Sequence, residues 1–317
     1  MSSPPTKRAR ADDDMAAFSR VLWGICDGGK LQYAPDALQQ DRATVLAAVK
    51  KSGRALQYAG RALRADREVV LAAVDESGYA LESAAESLKK DREVVLTAVR
   101  RSFGEAFQYA AKEMAQDAEV ALEAARMNAY MLAHASEALY ADREFVLAAV
   151  SIRGEALQYA SVPLRSDPEV VRVAIAQDPW ALKFAADDVK ADGAVVLVAV
   201  RKSGHALTFA APELRADREL VLAAVGSCGY ALRSASPAFR EDREIVLAAV
   251  QNDGRALQYA ARELQADREV VLAAVGQCGS ALQYADSALQ RDRDFVLTAA
   301  MRNPEVLKAL QRAPTPK

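Results

Sequence analysis

Residues 242–266 read DREIVLAAVQNDGRALQYAARELQA, and this stretch contains one copy of the pattern that decides the fold. Asp242 opens it, an apolar run follows, and Gly254 separates that run from the segment ALQYA. An aspartate before an apolar run is typical of a helix N-cap, and a glycine after the run predicts the C-cap of that helix. The stretch therefore predicts a main helix, a shorter second helix and a turn, which together make a helical hairpin.

The same pattern recurs along almost the whole chain. Its opening aspartates are 25 residues apart, except for 26 residues between Asp91 and Asp117, where Phe103 is the extra residue in a predicted loop. A helix of about ten residues is marginal alone, so each repeat must bury its apolar face against its neighbours. The chain is predicted to be all-α, an α-solenoid of eleven 25-residue helical-hairpin repeats wound as a right-handed superhelix. The predicted N-caps are Asp41, Asp66, Asp91, Asp117, Asp142, Asp167, Asp192, Asp217, Asp242, Asp267 and Asp292.

Both ends of the chain depart from the repeat. Residues 1–13 and 313–317 are predicted to be disordered tails, and residues 14–312 a single solenoid domain. Solenoids need polar caps at their ends. A capping helix is predicted at each end, the first from the apolar stripe Met15, Phe18, Leu22 and Ile25, and the second from Pro304 onward.

Composition excludes several classes of function. Lys and Arg number 41 and Asp and Glu 43, so no net positive field draws the chain to nucleic acid or to an anionic membrane. No apolar stretch approaches the roughly 18 residues of a membrane span. The chain has two histidines and three cysteines and no phosphate-binding, metal-ligating or nucleophile motif. The sequence predicts no enzyme activity, no cofactor and no metal.

The repeat signature also points to a known family. The segment ALQYA, a leucine, DREVVLAAV and a glycine, as in Leu257 to Gly279, closely resembles the helical repeat family called domain of unknown function 4116. The resemblance covers about residues 29–303 and implies an architecture without a known activity. The repeats that begin at Asp117 and Asp192 depart most from the signature.

Two further features repeat. An aromatic residue lies either two residues after the marker leucine, as Tyr58 does, or four residues earlier, as Tyr79 does. These positions share a helix face, which favours one ring filling one gap between repeats, and His134 is interpreted as a space-filler of the same kind. The cap aspartates are followed by arginine and glutamate, as in Arg67 and Glu68. These charges predict either a stripe for a partner or, because both signs interleave, mutual neutralisation between adjacent repeats.

Residues 167–193 break the pattern and give the candidate interface. Arg172 replaces a leucine that every other repeat has, and Trp180 adds an aromatic to a repeat that already has Phe184. Tryptophan and arginine are enriched at the energetic centres of protein interfaces. The predicted partner-binding residues are Trp180, Arg172, Lys183, Asp187 and Asp188; a bend in the stack is the alternative.

The sequence as a whole predicts a non-enzymatic scaffold for protein–protein interaction, with an unknown protein or peptide as partner. The position after the marker leucine is glutamine in many repeats and Glu82, Ala133, Lys183, Thr208 or Arg233 in others. A partner with a non-repetitive sequence would need such variation, and sequence drift explains it equally well. The alternatives are a small-ligand or catalytic protein that uses residues 167–193, and a nucleic-acid binder. The oligomeric state stays open.

An intracellular protein is expected, in either nucleus or cytoplasm. Lys7, Arg8 and Arg10 form a short basic cluster that matches a nuclear import signal. A fluorescent fusion tests this prediction, because changing the three residues to alanine should release the protein to the cytoplasm.

Overall fold

The computed structural model describes residues 31–312 of the chain. Every regular element in this range is a helix, which confirms the all-α fold class. The chain divides after Tyr159 into two compact units. The basic cluster at Lys7, Arg8 and Arg10, the two tails and the opening capping helix lie outside the described residues, and a single domain over residues 14–312 stays a prediction.

Each repeat begins with a main α-helix of the predicted kind. In the helix Arg67–Glu76, Val69, Val70, Ala73 and Val74 are fully buried. The carboxylate of Asp66 accepts hydrogen bonds from the backbone amides of residues 68 and 69, at 3.0 and 3.1 Å, and so satisfies two amides that the helix cannot. The main helices are Arg42–Val49, Arg67–Glu76, Arg92–Arg101, Ala118–Met127, Arg143–Ile152, Pro168–Gln177, Gly193–Lys202, Arg218–Ser227, Arg243–Asn252, Arg268–Gln277 and Arg293–Arg302.

The second limb of each hairpin is a 3₁₀-helix. The 3₁₀-helix Gly254–Tyr259 buries Gly254, Ala256 and Leu257, and the extended residue Ala260 follows it. A 3₁₀-helix has three residues per turn, so Gly254 and Leu257 lie one turn apart on the same face. These helices are Leu31–Tyr33, Gly53–Tyr58, Gly78–Ser83, Glu105–Tyr109, Ala129–His134, Gly154–Tyr159, Pro179–Phe184, Gly204–Phe209, Gly229–Arg233, Gly254–Tyr259 and Gly279–Tyr284.

A short turn links each 3₁₀-helix to the next cap aspartate, as expected. It also joins neighbouring repeats through one backbone hydrogen bond, such as that from the amide of Ala261 to the carbonyl of Arg240 at 2.8 Å. The equivalent bond from Ala85 to Arg64 also measures 2.8 Å. The short helices in these turns are Asp36–Gln39, Leu63–Ala65, Met114–Gln116, Glu137–Ala141, Val162–Arg165, Asp187–Lys190, Leu214–Ala216, Pro237–Glu241, Arg262–Gln265 and Ser287–Arg291.

The repeated glycine does not cap the main helix in a left-handed conformation, so that part of the prediction is wrong. The C-cap of Arg243–Asn252 is Asp253, which is extended with φ −143°. A Cβ atom on Gly254 would lie 2.1 Å from the carbonyl oxygen of Ala274 in the next repeat. The glycine is therefore required because the backbones of two repeats approach each other closely there.

The extra residue Phe103 lies in a turn, as predicted. Phe103 has φ 54° and Gly104 has φ 95°, and they are the only left-handed residues in the described part of the chain. This pair absorbs the insertion, since the next 3₁₀-helix, Glu105–Tyr109, keeps its place and buries Phe107. At the other end, the α-helix Glu305–Arg312 closes the second unit by burying Val306 near Gly279.

Candidate interaction surface

One edge of the stack is formed by the N-termini of the main helices, where charges from adjacent repeats pair. The Nε atom of Arg67 lies 2.8 Å from a carboxylate oxygen of Asp91, and its terminal nitrogen contacts Glu93. The same two contacts recur at other boundaries within each unit. The arginines that make them are Arg42, Arg67, Arg92, Arg218 and Arg243. We call this arrangement the arginine clamp.

The clamp gives each cap aspartate two roles. Asp91 accepts the amides of residues 93 and 94, at 3.0 and 3.1 Å, while it pairs with Arg67 of the preceding repeat. The hydrogen bond from the Arg67 guanidinium holds the pKa of Asp91 below its usual value. At these five boundaries the charges are thereby paired within the chain, which agrees with the second of the two interpretations of the repeated charges.

The opposite, 3₁₀-helical side carries the aromatic residues. The prediction that one ring fills one gap does not hold at two boundaries, where the rings of Trp180 and Phe209 and those of Tyr230 and Tyr259 meet in pairs at the surface. The rings of Tyr230 and Tyr259 are 5.8 Å apart and edge-on at 66°. Both side chains are half-buried, whereas the interior at the same level is filled by Leu232 and Leu257. His134 is exposed and therefore fills no interior space.

Trp180 belongs to such a pair. Its ring lies 5.4 Å from that of Phe209, edge-on at 65°, and 6.1 Å from the imidazole of His205. The Nε2 atom of His205 is in turn 3.4 Å from the sulfur of Cys228. Trp180 remains 51% exposed, so it presents a large apolar surface to solvent beside a polar rim. Edge-on aromatic pairs are favourable beyond the area that they bury.

The structure places the other predicted interface residues on three different elements. Lys183, on the same 3₁₀-helix, is exposed and its ammonium lies 5.4 Å from the centre of the Phe184 ring. Asp187 and Asp188 are exposed at the start of the next short helix, where Asp187 pairs with Lys190 at 3.4 Å. Arg172 lies on the exposed side of the main helix Pro168–Gln177. Among the described residues, no hydrogen bond, ion pair or ring contact joins Arg172 to Trp180.

Sequence reasoning missed His205 and Phe209 as members of this cluster. A signal for Phe209 was present in the sequence. Each repeat with an aromatic at the position of Tyr79 is followed by a repeat with an aromatic at the position of Tyr58. Trp180 and Phe209 are 29 residues apart, as are Tyr230 and Tyr259. The signal for His205 is absent, because histidine occurs at that position in one repeat.

These features define a class of protein. Tandem helical hairpins that bury their apolar faces against one another and are joined by recurring contacts make an α-solenoid repeat protein within each unit. The family model named Domain of unknown function (DUF4116) matches residues 26–64, 66–103, 142–190, 192–240, 217–265, 242–290 and 267–315, more than half of the chain. The chain belongs to this family.

The matches omit residues 104–141, which contain the repeat that begins at Asp117. No curated protein and no solved structure matches the chain. Among the helices that the structure describes, none has the length and apolarity needed to cross a membrane.

Proposed function

We propose that the protein is a non-enzymatic scaffold that binds a protein or peptide partner on the surface formed by its 3₁₀-helices. The exposed indole of Trp180, fixed against Phe209 and His205, is the observation that supports this proposal most. Large aromatic side chains that are already ordered lose little conformational entropy on binding and are enriched at the centres of interfaces.

The side chains around Trp180 favour a partner with a specific sequence. The exposed position after the marker leucine is Lys183 in this repeat, Thr208 in the next and Arg233 in the one after. The backbone repeats while these side chains change, so the surface presents a fixed spacing with varying chemistry. A peptide or protein with a non-repetitive sequence can complement such a surface.

The experiment compares Trp180→Ala with Tyr230→Ala, which truncates the equivalent aromatic two repeats away. A partner is first captured with the full chain, and its affinity for each variant is then measured with purified components. We expect Trp180→Ala to weaken binding by about tenfold or more, which is the loss typical of a central interface residue. Both variants should have similar melting temperatures, because both rings are at the surface. Unchanged binding combined with a collapsed melting temperature for Trp180→Ala would contradict the proposal.

A further inference from the structure

One boundary of the second unit has the carboxylates of the arginine clamp but no arginine. The residue after Asp192 is Gly193, and the next repeat provides Asp217 and Glu219 at the clamp positions. Asp217 accepts one hydrogen bond, from the amide of Leu220 at 2.9 Å. Within the described residues, Glu219 makes no ion pair and its carboxylate accepts no hydrogen bond.

A groove lies at this boundary. Its volume is about 220 Å³, and we call it the Gly193 groove. The residues that line it are Gly193, Ala194, Leu197, Leu214, Asp217, Glu219 and Leu220. The groove therefore combines a wall of three leucines with two carboxylates.

Packing does not force residue 193 to be glycine. A Cβ atom there would make only ordinary contacts, at 3.7 Å with Leu214 and 3.9 Å with Leu220. Gly193 also differs in this respect from Gly254, which is pressed against a carbonyl oxygen. The groove thus has room for a side chain that the chain itself does not supply.

The other boundaries show which chemical group suits these carboxylates. At five of them the equivalent aspartate and glutamate together hold one guanidinium, as Asp267 and Glu269 hold Arg243. A guanidinium is planar and donates in a fork that two carboxylates can share, whereas an ammonium is a compact charge without that geometry. The methylene stem of an arginine packs well on apolar side chains such as Leu197 and Leu214.

We propose that the Gly193 groove binds an arginine side chain of a protein partner. The guanidinium of that arginine would take the place that, in each clamp, belongs to the arginine of the preceding repeat. Asp217 and Glu219 are the acceptors and the three leucines receive the stem. This inference rests on the proposed scaffold function and adds to it the chemistry of one partner residue.

The test uses the full chain with isotope-labelled leucine methyl groups and N-acetyl-arginine amide as the probe. We expect saturable NMR shifts at Leu197, Leu214 and Leu220, and smaller shifts with N-acetyl-lysine amide at the same concentration. The shifts should be lost in Glu219→Gln and in Gly193→Arg, whose own arginine would fill the site. They should persist in the matched control Glu269→Gln, because that carboxylate belongs to a clamp that Arg243 already fills.

Two results would overturn the inference: no saturable shift at the three leucines in the wild-type chain, or equal shifts in Glu219→Gln. Circular dichroism establishes that each variant is folded, and Gly193→Arg should melt no lower than wild type because it completes a clamp. Either negative result leaves the scaffold proposal standing, since that proposal is tested by the effect of Trp180→Ala on partner affinity.

Discussion

At the scale of single residues, the distance between neighbouring repeats depends on a glycine, which has no side chain, at one position of the repeat. Gly254 faces the carbonyl oxygen of Ala274, and Gly53, Gly78, Gly204 and Gly229 face the equivalent carbonyl of the next main helix. A Cβ atom at any of these positions would lie between 2.1 and 2.4 Å from that oxygen. At these five boundaries the glycine therefore sets how closely the next main helix approaches, whereas Ala129 and Pro179 occupy the same position in two other repeats.

Gly254→Ala should therefore destabilise the protein. Overpacking of this kind typically costs about 1–3 kcal/mol. The matched control is Gly276→Ala, because a Cβ atom on Gly276 would meet nothing within 4 Å and Gly276 lies inside the helix Arg268–Gln277. Alanine in a helix is more favourable than glycine by up to about 1 kcal/mol, so the control should be neutral or stabilising. Urea unfolding of both variants measures the difference, and equal stabilities would show that the close approach is not rigid.

At the scale of elements, the arginine clamp couples the N-terminus of one main helix to that of the next. Asp66 and Asp91 have lowered pKa values in the folded protein, chiefly because Arg42 and Arg67 donate hydrogen bonds to their carboxylates. A carboxyl group with a lowered folded pKa stabilises the fold above its ordinary pKa of about 3.9. That contribution is lost as the pH falls through this value towards the folded pKa.

Arg67→Ala should accordingly lower the urea midpoint at neutral pH, and the difference from wild type should shrink as the pH falls below about 4. Arg61→Ala is the control, since Arg61 is exposed and has no ion pair among the residues described. Its midpoint should follow that of wild type at every pH. If the urea midpoint of Arg67→Ala differs from that of wild type by the same amount from neutral to acid pH, the clamp carboxylates do not cause the difference.

The main helices and their N-caps could be predicted because they depend on local chemistry. The second limb was expected as an unspecified short helix, because the spacing of three from Gly254 to Leu257 fits an α-helix as well as a 3₁₀-helix. The close approach of Gly254 to Ala274 could not be predicted, since a glycine after a helix has the same sequence signature whether it caps the helix or contacts a neighbour. The Gly193 groove was equally hidden, because its carboxylates and its glycine are distant in sequence and belong to different repeats.

At the scale of the whole chain, one repeat design tolerates considerable change in sequence. The repeat that begins at Asp117 lies outside the family matches, follows the Phe103 insertion and has Ala129 in place of the glycine. Its main helix, Ala118–Met127, and its 3₁₀-helix, Ala129–His134, nevertheless have the usual lengths of ten and six residues. Stability in such proteins comes mainly from contacts between nearest neighbours.

Excision of residues 242–266 should therefore leave a folded, shorter protein. Arg218 would then meet Asp267 and Glu269 in place of Asp242 and Glu244, and Gly229 would face the carbonyl of Ala274. Deletion of residues 242–253 alone is the contrasting variant, because it removes a main helix and leaves its 3₁₀-helix without support. Circular dichroism should show unchanged helicity per residue and cooperative melting for the first deletion, and reduced helicity for the second. If both deletions reduced the helicity per residue equally, the fold would not depend on contacts between nearest neighbours.

The backbone hydrogen bond between successive turns within a unit, such as that from the amide of Ala261 to the carbonyl of Arg240, affects how the number of repeats can change in evolution. Its donor and acceptor are main-chain groups, so it does not depend on which side chains the two partners carry. Unequal recombination between tandem copies in the gene adds or removes a whole repeat and brings together two neighbours that never met before. Those neighbours can form this bond whatever side chains the two turns carry, so a change in the number of repeats needs no compensating substitution in the turns.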